Sequence, residues 1–404
     1  MAEVIHPGWN IDNSAAVVSD DPEKIYKEWD YMRSQCPVAH VNRHDGYWIL
    51  TKHEDIKNCA LDSDTFISSV CAIVPSDPRG IRRPPLKFDG KDHTPYRTAL
   101  DRTLKASRLK RLEPVLQKHC DDELQPLLDR GEGDICQEFA SNFCGWVESV
   151  WLNLDPKNGK MLADSVNPFV QSWRTGDWDG VKRGSEAFYV IARDVIADRQ
   201  KALRDPEEDP ASSLILERDS EGKPLDEFHL VGCIRQSLIV SMVAPPILIS
   251  AMTNHLSKDK ELQNQLRNNP ELQNAAIEEF VRLYTPYRGF ARTATHDVEI
   301  SGQAIPQDEP MTMTYAAGNR DPSVFSEPDK FILNRPNITA HLGFGKGRHR
   351  CAGMPLARMI LKVFLRTILE KTTDWDVNSN ALHYARLPEI GIIGCPTKFH
   401  TKMA

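Results

Sequence analysis

The spacing of apolar and polar positions along the chain predicts a mainly α-helical protein with small β-sheets. Helical periodicity extends from Tyr96 to about Leu283 and returns from Met354 to about Leu369. Stretches rich in polar residues, glycine and proline interrupt the first region at residues 129–134, 153–159, 176–180, 205–211 and 219–224. Regular alternation of strands and helices is absent, which argues against a nucleotide-binding Rossmann domain.

Short strands and one long loop are expected outside the helical region. The strand signals lie at residues 46–51, 297–300, 311–315 and 390–393. A short helix should follow the first strand at residues 52–61. Residues 68–90 contain four prolines and little periodicity, which predicts a long ordered loop of the kind that is often functional. Residues 1–20 are expected to be a loose N-terminal arm.

The composition is that of an ordinary globular protein. A length of 404 residues allows one large domain or two smaller ones. The net charge of −7 gives no signal for nucleic-acid binding. The longest apolar run, residues 238–249, is broken by Pro245 and Pro246 and is too short to span a bilayer. With no signal peptide or anchor recognised at the N-terminus, a soluble cytoplasmic protein without membrane attachment is expected.

The nine cysteines are an odd number and contain no C-x-x-C pair, so they predict neither a disulfide framework nor a zinc site. Most are expected to be buried small hydrophobic residues in a reducing compartment.

Cys351 differs from the others because of its surroundings, the run Phe344-Gly345-Lys346-Gly347-Arg348-His349-Arg350-Cys351-Ala352-Gly353. The three glycines permit tight turns and close approach of the backbone to a flat ligand. The helix that begins at Met354 should point its positive end at the sulfur and lower the thiol pKa. Such a thiolate is suited to hold a haem iron, where it favours O–O cleavage. The alternative is a buried structural cysteine, which would be the favoured interpretation for a cysteine without these neighbours.

A second pattern begins with Glu279 and Arg282, which share a helix face and can pair. Alone, this spacing is common on surface helices. Here it is followed in order by Thr285-Pro286 and by residues 291–294, 316–322 and 331–335.

A third pattern is His93-Thr94-Pro95-Tyr96-Arg97, which opens a helix. His93 and Arg97 lie one turn apart and can face the same anionic groups. On its own, the pair could equally be a solvated helix surface.

Together, the three patterns resemble the cytochrome P-450 superfamily over about residues 20–400. The resemblance implies a single-domain fold, with an N-terminal arm at 1–20 and a haem domain at 21–404, and haem b between a distal helix and the cysteine loop (residues 344–353). It implies that Cys351 is the axial iron ligand and that Glu279, Arg282 and Arg335 lock the structure beneath the haem. The residues implied to bind haem are Cys351, His93, Arg97, Arg292, His349, Phe344, Gly345 and Gly353.

The distal helix departs from the family pattern, in which an acid followed by an alcohol delivers protons for oxygen activation. Counting back from Glu279 places the catalytic positions at Val243, Ala244 and Pro245, and neither an acid nor an alcohol occurs between Met242 and Ile249. Pro245 and Pro246 remove two backbone donors and should kink or open this helix, so that its free carbonyls can hold water. An ordinary helix bend with proton delivery by water is the alternative.

The resemblance implies a monooxygenase of secondary metabolism that oxidises a small, largely apolar or aromatic molecule with O2, using substrate- or water-assisted proton delivery. Oxidative coupling, isomerisation and peroxide-driven oxidation remain open, as does a haem-binding sensor or carrier without turnover. The peroxide-using fatty-acid subtype carries an arginine beside the distal proline, which this chain lacks. Arg288 is either an anchor for an anion or a surface residue.

The substrate pocket is assigned by analogy with the family, since an apolar lining suits a small molecule. Its expected residues are Ile73, Val170, Trp173, Val240, Ile247, Phe290, Ala291 and Ile392. Basic residues at positions 97–111 and at Lys346, Arg348 and Arg350 should form a positive proximal face. Such a face would attract an acidic electron donor, a ferredoxin or a flavodoxin.

Overall fold

The computed structural model describes residues 10–76, 81–154 and 158–401. Fifteen α-helices lie within these ranges: α1 (Ala15–Val18), α2 (Pro22–Gln35), α3 (His53–Leu61), α4 (Gly90–Thr103), α5 (Ala106–Arg130), α6 (Ser141–Trp151), α7 (Asn158–Thr175), α8 (Trp178–Lys201), α9 (Pro210–Leu216), α10 (Glu227–Val240), α11 (Ala244–Lys258), α12 (Lys260–Asn268), α13 (Gln273–Leu283), α14 (Tyr315–Gly318) and α15 (Met354–Lys371). A π-helical segment, Ile135–Ala140, leads into α6.

The strands are short and form four small sheets. They are β1 (Val38–Val41), β2 (Tyr47–Leu50), β3 (Phe66–Ile67), β4 (Glu132–Asp134), β5 (Phe290–Ala294), β6 (Val298–Ile300), β7 (Gln303–Ile305), β8 (Met311–Met313), β9 (Thr372–Val377), β10 (His383–Tyr384), β11 (Ile392–Gly394) and β12 (Pro396–Thr401). The sheet orders are β1-β2-β8-β5-β3, β4-β12-β9, β6-β7 and β10-β11. Only β2 and β8 pair in parallel within the described sheets. The prediction of a mainly α fold with small sheets is confirmed.

The main core lies among the helices. Phe139, Phe188, Phe280 and Phe364 are fully buried there, and α15 has buried apolar residues around most of its circumference. A helix that is apolar on nearly all sides belongs in the interior. This places α15, which directly follows the cysteine loop, at the centre of the molecule.

The expectation of a loose N-terminal arm is wrong for residues 11–18. Ile11 and Val17 are buried in a core cluster, because Arg288 fixes the segment by donating hydrogen bonds to the carbonyls of Ala16 (2.8 Å) and Ser19 (2.6 Å). Arg288 is itself buried, so it is not a surface residue, and its guanidinium is occupied by backbone carbonyls rather than free for a substrate anion. Residues 1–9 lie outside the described part of the chain, and the division into arm and domain stays a prediction.

The long apolar segment over the cavity is divided into two helices. α10 ends at Val240 and α11 begins at Ala244, so residues 241–243 (the break) are not helical. Pro245 and Pro246 occupy the first turn of α11, where a missing backbone N–H breaks no helical hydrogen bond. By length and composition the stretch Glu227–Lys258 could cross a membrane, but most of it is buried inside the protein.

Candidate functional site

A cavity of about 420 Å³ lies between the cysteine loop and the α10–α11 region. On one side its wall includes Phe344, Cys351 and Gly353. Val243, Ala244 and Pro245 belong to the wall contributed by the break and α11. The structure therefore brings the predicted iron ligand and the predicted distal positions to the same cavity.

The cysteine loop is held in shape by its glycines. Gly345 and Gly347 have φ angles of +68° and +69°, which residues with a side chain rarely adopt. A Cβ on Gly347 would also lie 2.0 Å from the carbonyl oxygen of Ala60. The Cys351 N–H donates to the Phe344 carbonyl at 2.8 Å, which closes the loop and orients the thiol.

Cys351 is the one exposed cysteine of the nine, all of which are described; seven are buried and Cys36 is intermediate. Its exposed surface faces the cavity rather than the outside of the protein. Burial raises the pKa of the thiol, while the N–H groups of Gly353 and Met354 and the Arg97 guanidinium oppose the rise. The expected lowering of this pKa is therefore wrong for the protein without a bound cation, because desolvation outweighs the helix terminus.

Basic side chains collect at one part of the cavity wall, which includes His93, Arg97, Arg292 and His349. The rings of His93 and His349 are 4.6 Å apart. Burial, together with the nearby His349 and Arg97, lowers the pKa of His93 to about 3. A cluster of cationic and hydrogen-bonding groups in a mostly apolar wall is suited to anionic groups on an otherwise apolar ligand.

Asp89 is the counter-charge to this basic cluster. Its carboxylate accepts from the N–H groups of Ser68 and Ser69 and lies 2.9 Å from Nε2 of His349. Burial opposes ionisation of Asp89, but the hydrogen bonds from His349 and the two serines lower its pKa. One carboxylate thus orients His349. Because burial lowers the pKa of His93 and of His349, Arg97 and Arg292 are the cationic groups of the cluster.

The predicted structural residues form a buried triad. Glu279 accepts from Arg282 (Nη2–Oε1, 2.7 Å) and from Arg335 (Nε–Oε1, 3.0 Å). All three side chains are buried, and the remaining guanidinium donors reach backbone carbonyls, including those of Asn319 and Ser326. Because every charged group is paired, the triad fixes the segment that leads to the cysteine loop.

Comparisons with known proteins agree with this arrangement. A family model for cytochrome P450 matches residues 247–373. The chain is 24% identical over 376 residues to the pulcherriminic acid synthase of Bacillus subtilis, covering 88% of this chain and 90% of that protein. It is 25% identical over 370 residues to the linalool 8-monooxygenase of Pseudomonas putida, covering 87% and 90%. The crystal structure of CYP108D1 from Novosphingobium aromaticivorans superposes with a TM-score of 0.85 at 21% identity, covering 95% and 96%.

The chain belongs to the cytochrome P450 superfamily. It is therefore an oxidoreductase of the haem-thiolate monooxygenase type, with a haem-iron cofactor, a small-molecule substrate and a redox partner. The residues present fit that cofactor, because a cavity-facing thiol, a mostly apolar wall and a basic cluster match an iron porphyrin with two carboxylates.

The cavity of this P450 contains some of the predicted pocket residues and lacks others. Ile73, Val170, Trp173, Val240 and Phe290 line it. Ile247 lines a small neighbouring cavity instead, and Ala291 and Ile392 are buried in the core. Analogy by position could not place these three, because a shift of one residue turns a side chain to another face of a helix, as for Ile247, or to the opposite face of a strand, as for Ala291 and Ile392.

Several polar wall residues were missed by the sequence analysis. Glu148 and Trp151 reach the cavity from α6, Arg83 from the long loop, and Arg235 and Ser241 from α10 and the break. Glu148 could have been noticed in the sequence, because it is the one acidic residue in the mostly apolar run Phe143-Cys144-Gly145-Trp146-Val147-Glu148-Ser149-Val150-Trp151.

The predicted positive face is smaller in this P450 than its sequence suggested. Acidic residues neutralise much of the 97–111 cluster: Arg97 pairs with Asp101, Arg102 with Glu217, Lys105 with Glu207, and Arg111 with Glu208. Arg108 is buried and donates to the Trp151 carbonyl at 2.7 Å. Arg348 and Arg350 are exposed and Lys346 is half-buried, so the cysteine loop is the main remaining basic surface of this region.

Proposed function

We propose that this P450 oxidises a small, largely apolar or aromatic molecule with O2 and electrons from a separate redox partner. The observation that supports this most directly is the cavity itself. Its wall combines the thiol of Cys351 and a basic cluster with Phe169, Trp173, Leu248 and other apolar side chains. An apolar cavity with a few placed polar groups is typical of small-molecule sites.

In this proposal the cofactor is haem b, whose iron the thiolate of Cys351 would hold. His93, Arg97, Arg292 and His349 hold the two propionates, and Phe344, Gly345 and Gly353 allow the cysteine loop to approach the ring. The haem supplies the oxygen chemistry, while the protein sets the ligand, the pocket and the access of protons. The haem-binding domain is proposed to span residues 21–404.

Aromatic and aliphatic wall residues are proposed to bind the substrate and exclude water. The rings of Phe290 and Tyr287 are tilted against each other, with centroids 5.1 Å apart, and Trp173 packs against Phe169. Such rings fix the orientation of an apolar molecule while leaving few polar atoms to bind. Val243, Ala244 and Pro245 add apolar surface over the reacting position and carry no side-chain proton.

The buried triad of Glu279, Arg282 and Arg335 is proposed to act through structure alone. It does not line the cavity, and it ties α13 to the segment before the cysteine loop. In this proposal, the triad holds Cys351 in position relative to the opposite wall of the cavity.

An acidic electron donor, a ferredoxin or a flavodoxin, is proposed to bind at Lys346, Arg348 and Arg350. These residues directly precede Cys351 in the sequence, and none of them has a carboxylate partner among the described residues. Complementary charge would raise the rate of encounter. A soluble, cytoplasmic location is proposed for the same reason, because the donor must reach this face by diffusion.

The test begins with the spectrum of the haem protein. Reduced protein with carbon monoxide should give the absorption band for which the family is named, and Cys351→Ala should abolish it. Cys36→Ala is the matched control, because Cys36 is half-buried and outside the cavity wall. Haem binding without that band in the unaltered protein would contradict thiolate ligation.

Substrate class is tested by screening compounds for shifts of the haem spectrum. Apolar and aromatic compounds should give shifts, and those that do should be converted to oxidised product with NADPH and a surrogate ferredoxin system. Conversion with hydrogen peroxide alone at an equal rate would favour peroxide-driven oxidation. Binding with no turnover under either condition would favour a sensor or carrier.

A further inference from the structure

The distal wall of this P450 lacks an obvious proton donor. Between Met242 and Ile249 every side chain is apolar, yet monooxygenation consumes two protons for each O2. A donor must therefore come from water, from the substrate or from another part of the cavity wall.

Glu148 is an acid in that wall. It projects from α6 and is 1% exposed. Its Oε1 atom has no hydrogen-bond partner among the described residues. A buried carboxyl with an unpaired oxygen is costly to keep, since a desolvated polar group loses its bonds with water. An apolar residue of the same size would pack into α6 without this cost, so the acid at this position requires an explanation beyond packing.

Ser241 is the second polar group at this place. It lies in the break, lines the same cavity, and its Oγ atom likewise has no hydrogen-bond partner in the described structure. Other hydroxyls of α10 and α11 donate to the carbonyl four residues earlier: Ser237 to Cys233 (3.1 Å) and Ser250 to Pro246 (2.8 Å). Because the helix is interrupted at Ser241, its hydroxyl is free of this local bond.

The electrostatic surroundings keep Glu148 protonated near neutral pH. Burial raises the pKa of its carboxyl to about 8, and the nearby Ser241 hydroxyl opposes the rise. On its own helix, Glu148 contributes to the raised pKa of the Cys144 thiol, which is raised chiefly by burial. Among the described residues, no arginine, lysine or histidine on α5, α7, α10 or α11 contributes to the shift.

We propose that Glu148 and Ser241 form a proton relay into the cavity of this P450, in place of an acid–alcohol pair on one distal helix. The inference rests on the proposed monooxygenase function. The break is then a functional feature, because it leaves the Ser241 hydroxyl without the local helical bond and lets it interact with Glu148 of α6.

The relay conserves atoms and charge. The Glu148 carboxyl transfers its proton to Oγ of Ser241, and Ser241 releases its own hydroxyl proton into the cavity. Glu148, now a carboxylate, recovers a proton from water. Two such transfers, with two electrons from the redox partner, supply what the reaction needs to place one oxygen atom in the product and the other in water.

The first experiment measures the proton on Glu148 without turnover. In the haem-loaded protein, an infrared pH titration should show a protonated-carboxyl band that disappears as pH rises through about 8. Glu148→Gln should remove this band. Glu123→Gln is the matched control, since Glu123 is also a partly buried carboxyl whose pKa burial raises but which lies outside the cavity wall. Absence of the band in the unaltered protein would overturn the proposal.

The second experiment measures product formed per NADPH with a compound that shifts the haem spectrum. Glu148→Gln and Ser241→Ala should each lower this yield by at least roughly tenfold, which is less than the roughly 10²- to 10⁴-fold that a general acid contributes to a rate, and increase hydrogen peroxide release. Glu148→Asp should recover part of the yield, and the residual yield of Glu148→Gln should lose its dependence on pH near 8. An unchanged yield and pH profile would overturn the relay.

These outcomes separate the relay from the function on which it rests. If Glu148→Gln loses haem, Ser241→Ala and Glu148→Asp decide the question by the same yield and pH profile. If the unaltered protein makes no product with any compound, the monooxygenase proposal fails, and the relay fails with it even where the infrared band titrates as expected. If product forms and only the relay variants are unaffected, the relay alone fails.

Discussion

The guanidinium of Arg335 lies 3.0 Å from the carboxylate of Glu279, although the two residues are 56 positions apart in the chain. Both side chains are buried, so the attraction is little screened by water or salt. The pair joins α13 to the segment preceding the cysteine loop. Under the proposed function, correct placement of the thiol depends on this contact, which lies outside the cavity wall.

Replacing Arg335 with methionine should destabilise the protein by about 3–5 kcal/mol, because a buried carboxylate loses one of its two charged partners. Loss of the haem absorption band during denaturation by urea measures this effect. Arg130→Met is the control: Arg130 pairs with Glu138 at the surface, and such exposed pairs contribute about 1 kcal/mol or less. Equal losses in the two variants would contradict a special role for the triad.

Gly347→Ala should disrupt the cysteine loop. Alanine would have to adopt a φ of +69° with its Cβ 2.0 Å from the Ala60 carbonyl, so the loop must move and haem retention should fall. Gly222→Ala is the matched control, since Gly222 has a similar φ of +79° with nothing within 4 Å of the added Cβ. Its expected effect is only about 1 kcal/mol of backbone strain. Haem content after gel filtration distinguishes the two.

The stability of the protein should depend on pH through Glu148. Its carboxyl ionises near its ordinary value of 4.5 in the unfolded chain and at about 8 in the folded protein. Between these values the folded state binds one more proton, so stability falls as pH rises, by on the order of a few kcal/mol in total. Glu148→Gln should remove this part of the slope. Denaturation at several pH values in that window, compared with Glu123→Gln, measures it.

Arg97→Met should weaken haem binding more than Arg102→Met does. Arg97 faces the cavity, whereas Arg102 pairs with Glu217 away from it. Loss of one charge-assisted contact to a propionate corresponds to about tenfold in affinity. Transfer of haem to apomyoglobin gives the comparison, and equal transfer rates would remove Arg97 from the proposed propionate site.

Lys346→Glu should slow reduction by an acidic donor, most strongly at low salt, because charge attraction is screened as salt increases. Stopped-flow formation of the carbon monoxide complex follows the reduction. Lys24→Glu, an exposed change on α2, should leave the rate unaltered. A rate that does not depend on salt in either variant would point to another docking surface.

Local signals predicted the fold and several elements around the cavity well. The helix expected from Met354 to about Leu369 is α15, Met354–Lys371, and the strand expected at residues 46–51 is β2, Tyr47–Leu50. These elements are set by periodicity and by turn residues close to them in sequence. The cysteine loop could be recognised from the sequence just as readily, because its glycines and its cysteine lie in one contiguous run.

Pairing between distant segments could not be predicted. Arg102 looked like part of a positive face, but its partner Glu217 is 115 residues away. Arg288 was ambiguous for the same reason, since the carbonyls that it binds belong to the N-terminal segment. Glu148 and Ser241 are close only because α6 packs beside the break. No local sequence pattern predicts this proximity.

The different exposure of the cysteines provides a chemical measure of how much of the protein carries its cofactor. With seven cysteines buried, Cys36 half-buried and Cys351 open to the cavity, a small neutral alkylating reagent should modify Cys351 in the cofactor-free protein and be blocked there once the iron is ligated. The mass of the modified protein would then count loaded molecules directly, independently of any absorption measurement.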